Sequence, residues 1–348
     1  MVTTASGAPR ATTAPAGYGP AQFRGAYALP SSAPPGQTIA IVDAYDDPSI
    51  AADLNTYSAQ FGLPLCNSAN PCFQKVNQNG SASGPFPRAD SGWSLEIALD
   101  VEVAHAICPN CKILLVEANS NSLSNLSAAV KTAAKLGATE ISNSYGGSEF
   151  SSELGETYAA PYNQPGIAVT VSSGDNGYGS FGFPAALSSV VTVGGTTLSL
   201  GAGNTYGSEK VWSGGGSGCS LYVSAPFWQS FLSACKGKRG TADVAADADP
   251  ATGAAVYDSV KYQGRAGWMQ IGGTSLSSPL IAGVYALAGG LQSGSNAASA
   301  LYGHLGDGTV LHDVTLGSNG SCGTLMCRGG AGYDGPTGVG TPLGIGAF

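Results

Sequence analysis

QTIAIVDAYD (37–46), followed at once by SIAADLNTYSAQFG (49–62), decides how the rest of the chain is read. The first segment is an apolar run closing on acidic and aromatic residues, the pattern of a strand buried on both faces. In the second, apolar positions fall on one side at helical spacing and Gly62 supplies the stop. That is one β-α unit, and the alternation continues. A helix is expected near 91–107, a strand at KILLVEA (112–118), a helix at 122–136 ended by Gly137, and strands at 139–145, 167–173 and 189–193. Beyond residue 200 the chain reads as Gly-rich loop until SLSSPLIAGVYALAG (275–289), one more apolar helix. Strands alternating with helices predict an α/β fold with a mainly parallel central sheet and helices on both faces. Residues 1–36, rich in Ala, Thr, Pro and Gly with one aromatic patch from Tyr18 to Tyr27, read as an arm packing on the core. No linker divides 37–348, which is read as one domain.

Composition narrows the function. Of 348 residues only 10% are charged, and 14 basic against 22 acidic side chains give a net charge of −8, which repels phosphate backbones and anionic lipid. Nucleic acid and membrane are excluded as partners on that ground, and no apolar run is long enough to span a bilayer. Few ionisable groups also means little self-repulsion when carboxylates protonate, so the composition suits an acidic medium. The eight cysteines fall into four close pairs, Cys66 with Cys72, Cys108 with Cys111, Cys219 with Cys235 and Cys322 with Cys327. Short disulfide loops are the reading. Zinc competes for them, but its structural sites need four converging ligands and only Cys108 and Cys111 have ligand-like spacing. Disulfides point to a secreted, extracellular chain, and since no signal segment begins it, to a mature or trimmed form.

Three segments carry chemistry. In GGTSLSSP (272–279) small residues lead into an apolar helix with Ser275 in its first turn, where unpaired backbone N–H groups can hold an oxyanion. A bare G-T-S reads first as an ordinary serine cap, so context must decide. A serine nucleophile needs a base, and the histidines are His105, His304 and His312, none of them in an H-G-T-H helix. His105 reads as a structural or surface residue. In SGWSLEIALDVEVAHA (91–106), however, Glu96 and Asp100 stand four residues apart, so both carboxylates project from one helix face and a buried pair would share a proton. In SSGDNGYG (172–179), Asp175 follows a strand in a Gly-framed loop, which by itself is also plain turn chemistry.

Together these segments resemble the sedolisin, or serine-carboxyl peptidase, family. Further matches are YGPAQFRGAYALP (18–30), ISNSYGG (141–147), FPAALSSVVTVGGTTL (183–198), DVAADADPATGAAVY (243–257) and VGTP (339–342), so the likeness runs along nearly the whole chain. The resemblance implies a subtilisin-like fold and an acid-acting endopeptidase. It places the E-x-x-L-D pair on Glu96 and Asp100, the G-T-S-x-x-x-P serine on Ser275 and the S-G-D aspartate on Asp175. Glu96 would be general base and acid, Asp100 its orienter, and protonated Asp175 the oxyanion donor. Asp43 stands where some members carry an acidic residue extending this network, often the longer Glu. Ser144, Tyr145 and Gly146 would line the substrate cleft, with Tyr145 where members often carry Trp. LHDVTLGSNG (311–320) and GAGYDGPTGVG (330–340) resemble the family's calcium loop, implying one structural Ca²⁺ held by Asp313 and Asp334 carboxylates and by carbonyls of Val314, Gly330 and Gly332. The family also implies polypeptide substrates, a monomer, and a prosegment for which the 36 residues before the first strand are too few. The rival readings are a His-dependent subtilisin-type peptidase using Asp43, His105 and Ser275, and an inactive secreted binding protein on the same fold.

Overall fold

The structure is a computed structural model that describes residues 12–291 and 294–348. After a short helix α1 (Pro20–Ala26) the chain runs β1 (Thr38–Ala44), α2 (Ile50–Phe61), β2 (Phe73–Asn77), α3 (Ser91–Ile107), β3 (Lys112–Ala118), α4 (Leu123–Lys135), β4 (Glu140–Asn143), β5 (Ala168–Ser172) and β6 (Val191–Leu200). Six further strands follow, β7 (Tyr206–Val211), β8 (Gly218–Ser224), β9 (Lys238–Thr241), β10 (Val244–Asp247), β11 (Ala254–Tyr262) and β12 (Arg265–Ile271). Last come α5 (Thr274–Ala288), α6 (Ala297–Tyr302), β13 (Leu311–His312) and β14 (Thr341–Pro342). The central sheet has the order β10-β6-β5-β4-β1-β3-β2 with every pairing parallel, and β7 runs antiparallel beside the far half of β6.

The pleat sorts side chains between two cores. From β1, Ile39 and Ile41 join the core containing α3 and α5, while Ala40, Val42 and Ala44 join the one containing α4. Asp43 has the parity of Ile39 and Ile41, so the strand directs its carboxylate to the α3 and α5 face. Helix α5 is buried all round, which its unbroken apolar composition requires. Its hydroxyls are satisfied by the sheet: Ser277 donates to the carbonyls of Ala246 and Asp247, and the Ser278 hydroxyl lies 3.0 Å from those of Ser142 and Thr170.

One expectation is corrected. The stretch between residues 200 and 275 is not loop but carries β7 to β12, and β10 is an edge of the central sheet. These strands are short or poor in β-branched residues, as in VAAD (244–247), so neither periodicity nor propensity marks them. Strand β2 was also unread, since FQKVN mixes polar and apolar positions at a sheet edge. Within the arm, residues 1–11 lie outside the described residues, whereas Phe23, Ala26 and Tyr27 are buried in the core. The Tyr27 hydroxyl donates to Glu209 and accepts from the Asp247 amide. All four short cysteine pairs are disulfides.

Candidate active site

Parallel strands end together at their carboxyl edge, and that edge is where an α/β sheet presents ligands and catalytic groups. Asp43 lies at the end of β1, Ser144 to Gly146 follow β4, Asp175 follows β5, and Ser275 opens α5. Glu96 and Asp100 come from α3, whose start is fixed by Asp90, which accepts hydrogen bonds from the amides of Gly92 and Trp93. Ser275, Glu96, Asp100 and Asp43 are all buried.

The carboxylates act on one another. Burial pushes Asp43 well above its ordinary value, and the neighbouring Glu96 adds to the rise. Asp100 is raised well above its ordinary value by burial, then by Asp43 and Glu96, and is partly relieved by the Ser144 hydroxyl. Three like charges in one dry pocket do not all ionise, so the group holds protons that move among its members.

Ser144 connects this group to the serine, for a reason already in the sequence. Pro279, four residues after Ser275, has no N–H to give, so the Ser275 carbonyl lacks its helical donor. The Ser144 hydroxyl stands in at 3.3 Å. Asp175 is fixed from the other side, its Oδ1 accepting from the Thr274 amide at 2.8 Å and the Thr274 hydroxyl at 2.9 Å. Burial raises the Asp175 carboxyl and these two bonds hold the rise down. Gly273 has φ +113°, a conformation suited to glycine, and a Cβ there would lie 2.8 Å from Asp175 Oδ2.

Two cavities open beside these groups, one on the serine and one on Glu96. One, of about 280 Å³, is lined by Ser275, Thr274, Asp175, Ser173, Tyr145 and Gly146. The other, of about 380 Å³, is lined by Glu96, Trp93, Tyr262, Asn121, Ser144 and Tyr145. Tyr145 thus lines both, with its hydroxyl turned into the protein on Asn143 Oδ1 at 2.7 Å. Thr274, Trp93 and Tyr262 were not singled out in the sequence. Thr274 could have been, since it sits inside G-T-S, but Tyr262 comes from a hairpin read as loop. His105 is buried, with Nε2 2.9 Å from the Pro64 carbonyl, and burial pushes its imidazole below the usual value.

The expected calcium ligands Asp313, Gly330, Gly332 and Asp334 also lie in one loop. Asp313 Oδ2 accepts from the Gly332 amide at 2.9 Å, and Asp334 Oδ2 from Gly330 at 3.1 Å, so the two carboxylates knit one loop. Asp334 is buried and pushed up to about 7, by desolvation first and with Asp313 among the causes. Two carboxylates beside glycine-rich backbone fit a hard cation that takes oxygen ligands.

A parallel sheet with a helix-borne serine and buried carboxylates at its carboxyl edge defines a subtilisin-like scaffold. The subtilase family profile matches residues 81–299. Sedolisin of Pseudomonas sp. (strain 101) is 29% identical over 93% of this chain and 60% of its own length. Kumamolisin of Bacillus sp. (strain MN-32) is 31% identical over 96% of this chain and 63% of its own length. The structure of Pseudomonas sedolisin, a serine-carboxyl proteinase complexed with two molecules of pseudo-iodotyrostatin, superposes with a TM-score of 0.76 at 28% identity, covering 94% of this chain and 96% of that one. The chain belongs to the subtilase family and, within it, to the sedolisin group. It spans about three-fifths of the length of the two relatives, 60% and 63%.

Proposed function

We propose that this chain is a secreted serine-carboxyl endopeptidase that hydrolyses polypeptides in acidic surroundings, with residues 37–348 as its catalytic domain. The observation that carries the reading is the buried carboxyl group of Asp43, Glu96 and Asp100, linked through Ser144 to the segment holding Ser275, with Asp175 clamped to the adjacent Thr274. Ser275 attacks the peptide carbonyl as Glu96 takes its proton and passes it to the leaving amine, giving an acyl-enzyme on Ser275 that water, deprotonated by Glu96, then hydrolyses to free the acid and the serine. Asp100 orients Glu96, and Asp43 behind it shares the proton, so the base ionises without placing three charges in the pocket. Asp175 donates to the oxyanion, which requires it protonated; its burial favours that form. Peptide side chains on either side of the scissile bond occupy the cavities of about 280 and 380 Å³, Trp93 and Tyr262 giving the second an aromatic wall. Asp313 and Asp334, with carbonyls of Val314, Gly330 and Gly332, would hold one calcium ion. When bound, that ion neutralises the buried Asp334 carboxylate together with the exposed Asp313 and so stabilises the loop. The four disulfides support an extracellular setting.

The test is the rate at subsaturating peptide from pH 2 to 9, with a fold check at each point. Glu96 must be ionised and Asp175 neutral, so the maximum is expected at about pH 3–5. Ser275→Ala should abolish turnover, and Asp175→Ala should lower kcat by about 10²–10³. A maximum at neutral or alkaline pH with intact structure, or substantial turnover by Ser275→Ala, overturns the reading.

A further inference from the structure

Away from the serine, three more aspartates converge. Asp47 lies between β1 and α2, Asp53 in the first turn of α2, and Asp258 on β11 where its pairing with β12 shifts register. One carboxylate oxygen from each lies within 4.8 Å of the other two, and all three residues are buried. Oxygens around a calcium ion stand at about 2.3–2.6 Å from it and so no more than about 5 Å apart across it. The trio meets that condition.

Each carboxylate is already oriented by a donor outside the gap. Asp47 Oδ1 accepts from the Ser49 amide at 2.8 Å, Asp258 Oδ1 from the Val260 amide at 2.7 Å, and Asp53 Oδ2 from the amide and hydroxyl of Ser259, both at 2.9 Å. The second oxygens of Asp47 and Asp258 are buried with no donor. A fourth acid points to the same need. Glu102, on α3 and fully buried, feels the charges of Asp53, Asp258 and Asp47 together. Its Oε2 accepts from the Tyr257 amide at 2.9 Å and its Oε1 has no donor. Lys75 does not fill the gap: its Nζ is bound to the Asp46 carboxylate and to the Asp47 backbone carbonyl, and lies 3.5 Å from Glu117. Buried acceptors without donors cost free energy that a cation would recover.

We propose that Asp47, Asp53 and Asp258 form a second divalent-cation site, suited to Ca²⁺, that ties the start of α2 to the β11–β12 hairpin. All-oxygen donors favour a hard ion over zinc or copper. The hairpin also supplies Tyr262 to the larger cavity, so the ion would steady one wall of it. The inference does not depend on the peptidase reading.

The test uses the full chain stripped with chelator and reloaded with CaCl₂ at pH 6.5, where binding carboxylates are open to the metal. Asp334→Asn removes the contribution of the C-terminal loop. That protein should still bind one calcium ion by elemental analysis and melt at higher temperature in calcium. Adding Asp258→Asn, or separately Asp47→Asn, should abolish both the ion and the shift. In chelator these second variants should melt at or above Asp334→Asn alone, because a like charge has been removed from the cluster. Calcium-free Asp334→Asn protein, or equal binding with and without Asp258, overturns the site; the cluster would then hold protons instead.

Discussion

Glu140→Gln should stabilise the protein at neutral pH and leave it unchanged in acid. Glu140 opens β4 and is buried, with Thr139 donating to Oε2 at 2.6 Å. Its Oε1 lies 3.0 Å, and Gln37 Oε1 3.1 Å, from the point where a Cβ on Gly290 would stand, and neither oxygen has a donor. Burial pushes the group from 4.5 up to about 8, with the Thr139 hydroxyl holding the rise down. The folded state therefore keeps a proton that the unfolded chain has released. That contribution is complete below 4.5 and is lost as pH rises through about 8. At roughly 1.4 kcal/mol per unit, the 2.5 units between 4.5 and pH 7 correspond to on the order of 3 kcal/mol. A glutamine is neutral throughout. Equilibrium unfolding in guanidinium on the Ser275→Ala background, at pH 4 and pH 7, reads the difference directly. Equal effects of the substitution at the two pH values would refute the reasoning.

Gly273→Ala must place a Cβ 2.8 Å from Asp175 Oδ2 at φ +113°, so turnover at pH 4 should fall about as far as on removing an oxyanion donor, 10²–10³-fold; near-normal kcat would show that Asp175 need not hold its position. His105→Ala should leave the pH–rate profile unchanged while costing about 1 kcal/mol, because the hydrogen bond from the buried imidazole to the Pro64 carbonyl is lost; a collapse of turnover in folded protein would revive a histidine mechanism. Asp334→Asn should lower the melting temperature measured in calcium at pH 6.5, where wild type is protected by mass action; an unchanged value would remove the C-terminal loop from the metal-binding residues.

What could be read from the sequence followed from how strongly each segment is constrained. Strands such as IAIVD are buried on both faces and admit almost nothing but apolar residues, so β1 and β3 announce themselves, as does α5, apolar all round. The strands after residue 200 pack by shape instead. Gly207 on β7 and Gly218 on β8 approach the Ser199 carbonyl and the Phe181 ring so closely that a Cβ would stand 2.6 and 2.7 Å from them, and such contacts leave glycine behind. Candidate site residues were legible where local order carries the geometry: Glu96 and Asp100 share a helix face whatever the fold, and Pro279 frees the Ser275 carbonyl by covalent structure alone. The trio of Asp47, Asp53 and Asp258 was not, because its third member arrives from more than 200 positions away and each aspartate alone looks like a turn or helix-start residue. Trp93 and Tyr262 meet across one cavity for the same non-local reason.

The two kinds of buried carboxyl in this molecule impose the same condition on it. Asp43, Asp100 and Asp175 are raised by burial at the serine, while Glu140 at about 8 and Glu117 at about 9 are raised by burial elsewhere. For every one of them the folded state binds a proton more tightly than the unfolded chain, so each adds stability in acid and withdraws it as pH climbs past the ordinary carboxyl range. On the proposed mechanism catalysis needs a protonated Asp175, so activity and the stability that these carboxyls add fail in the same direction as pH rises. Their coincidence makes a falling pH–rate limb ambiguous by itself. Glu140 resolves the ambiguity, because it lies at the start of β4 while Ser144 follows that strand's end, so Glu140→Gln raises stability at neutral pH without touching the groups around Ser275. If the loss of activity above pH 5 reflects Asp175, the variant keeps the same limb on a more stable protein; if it reflects unfolding, the limb moves to higher pH with the stability.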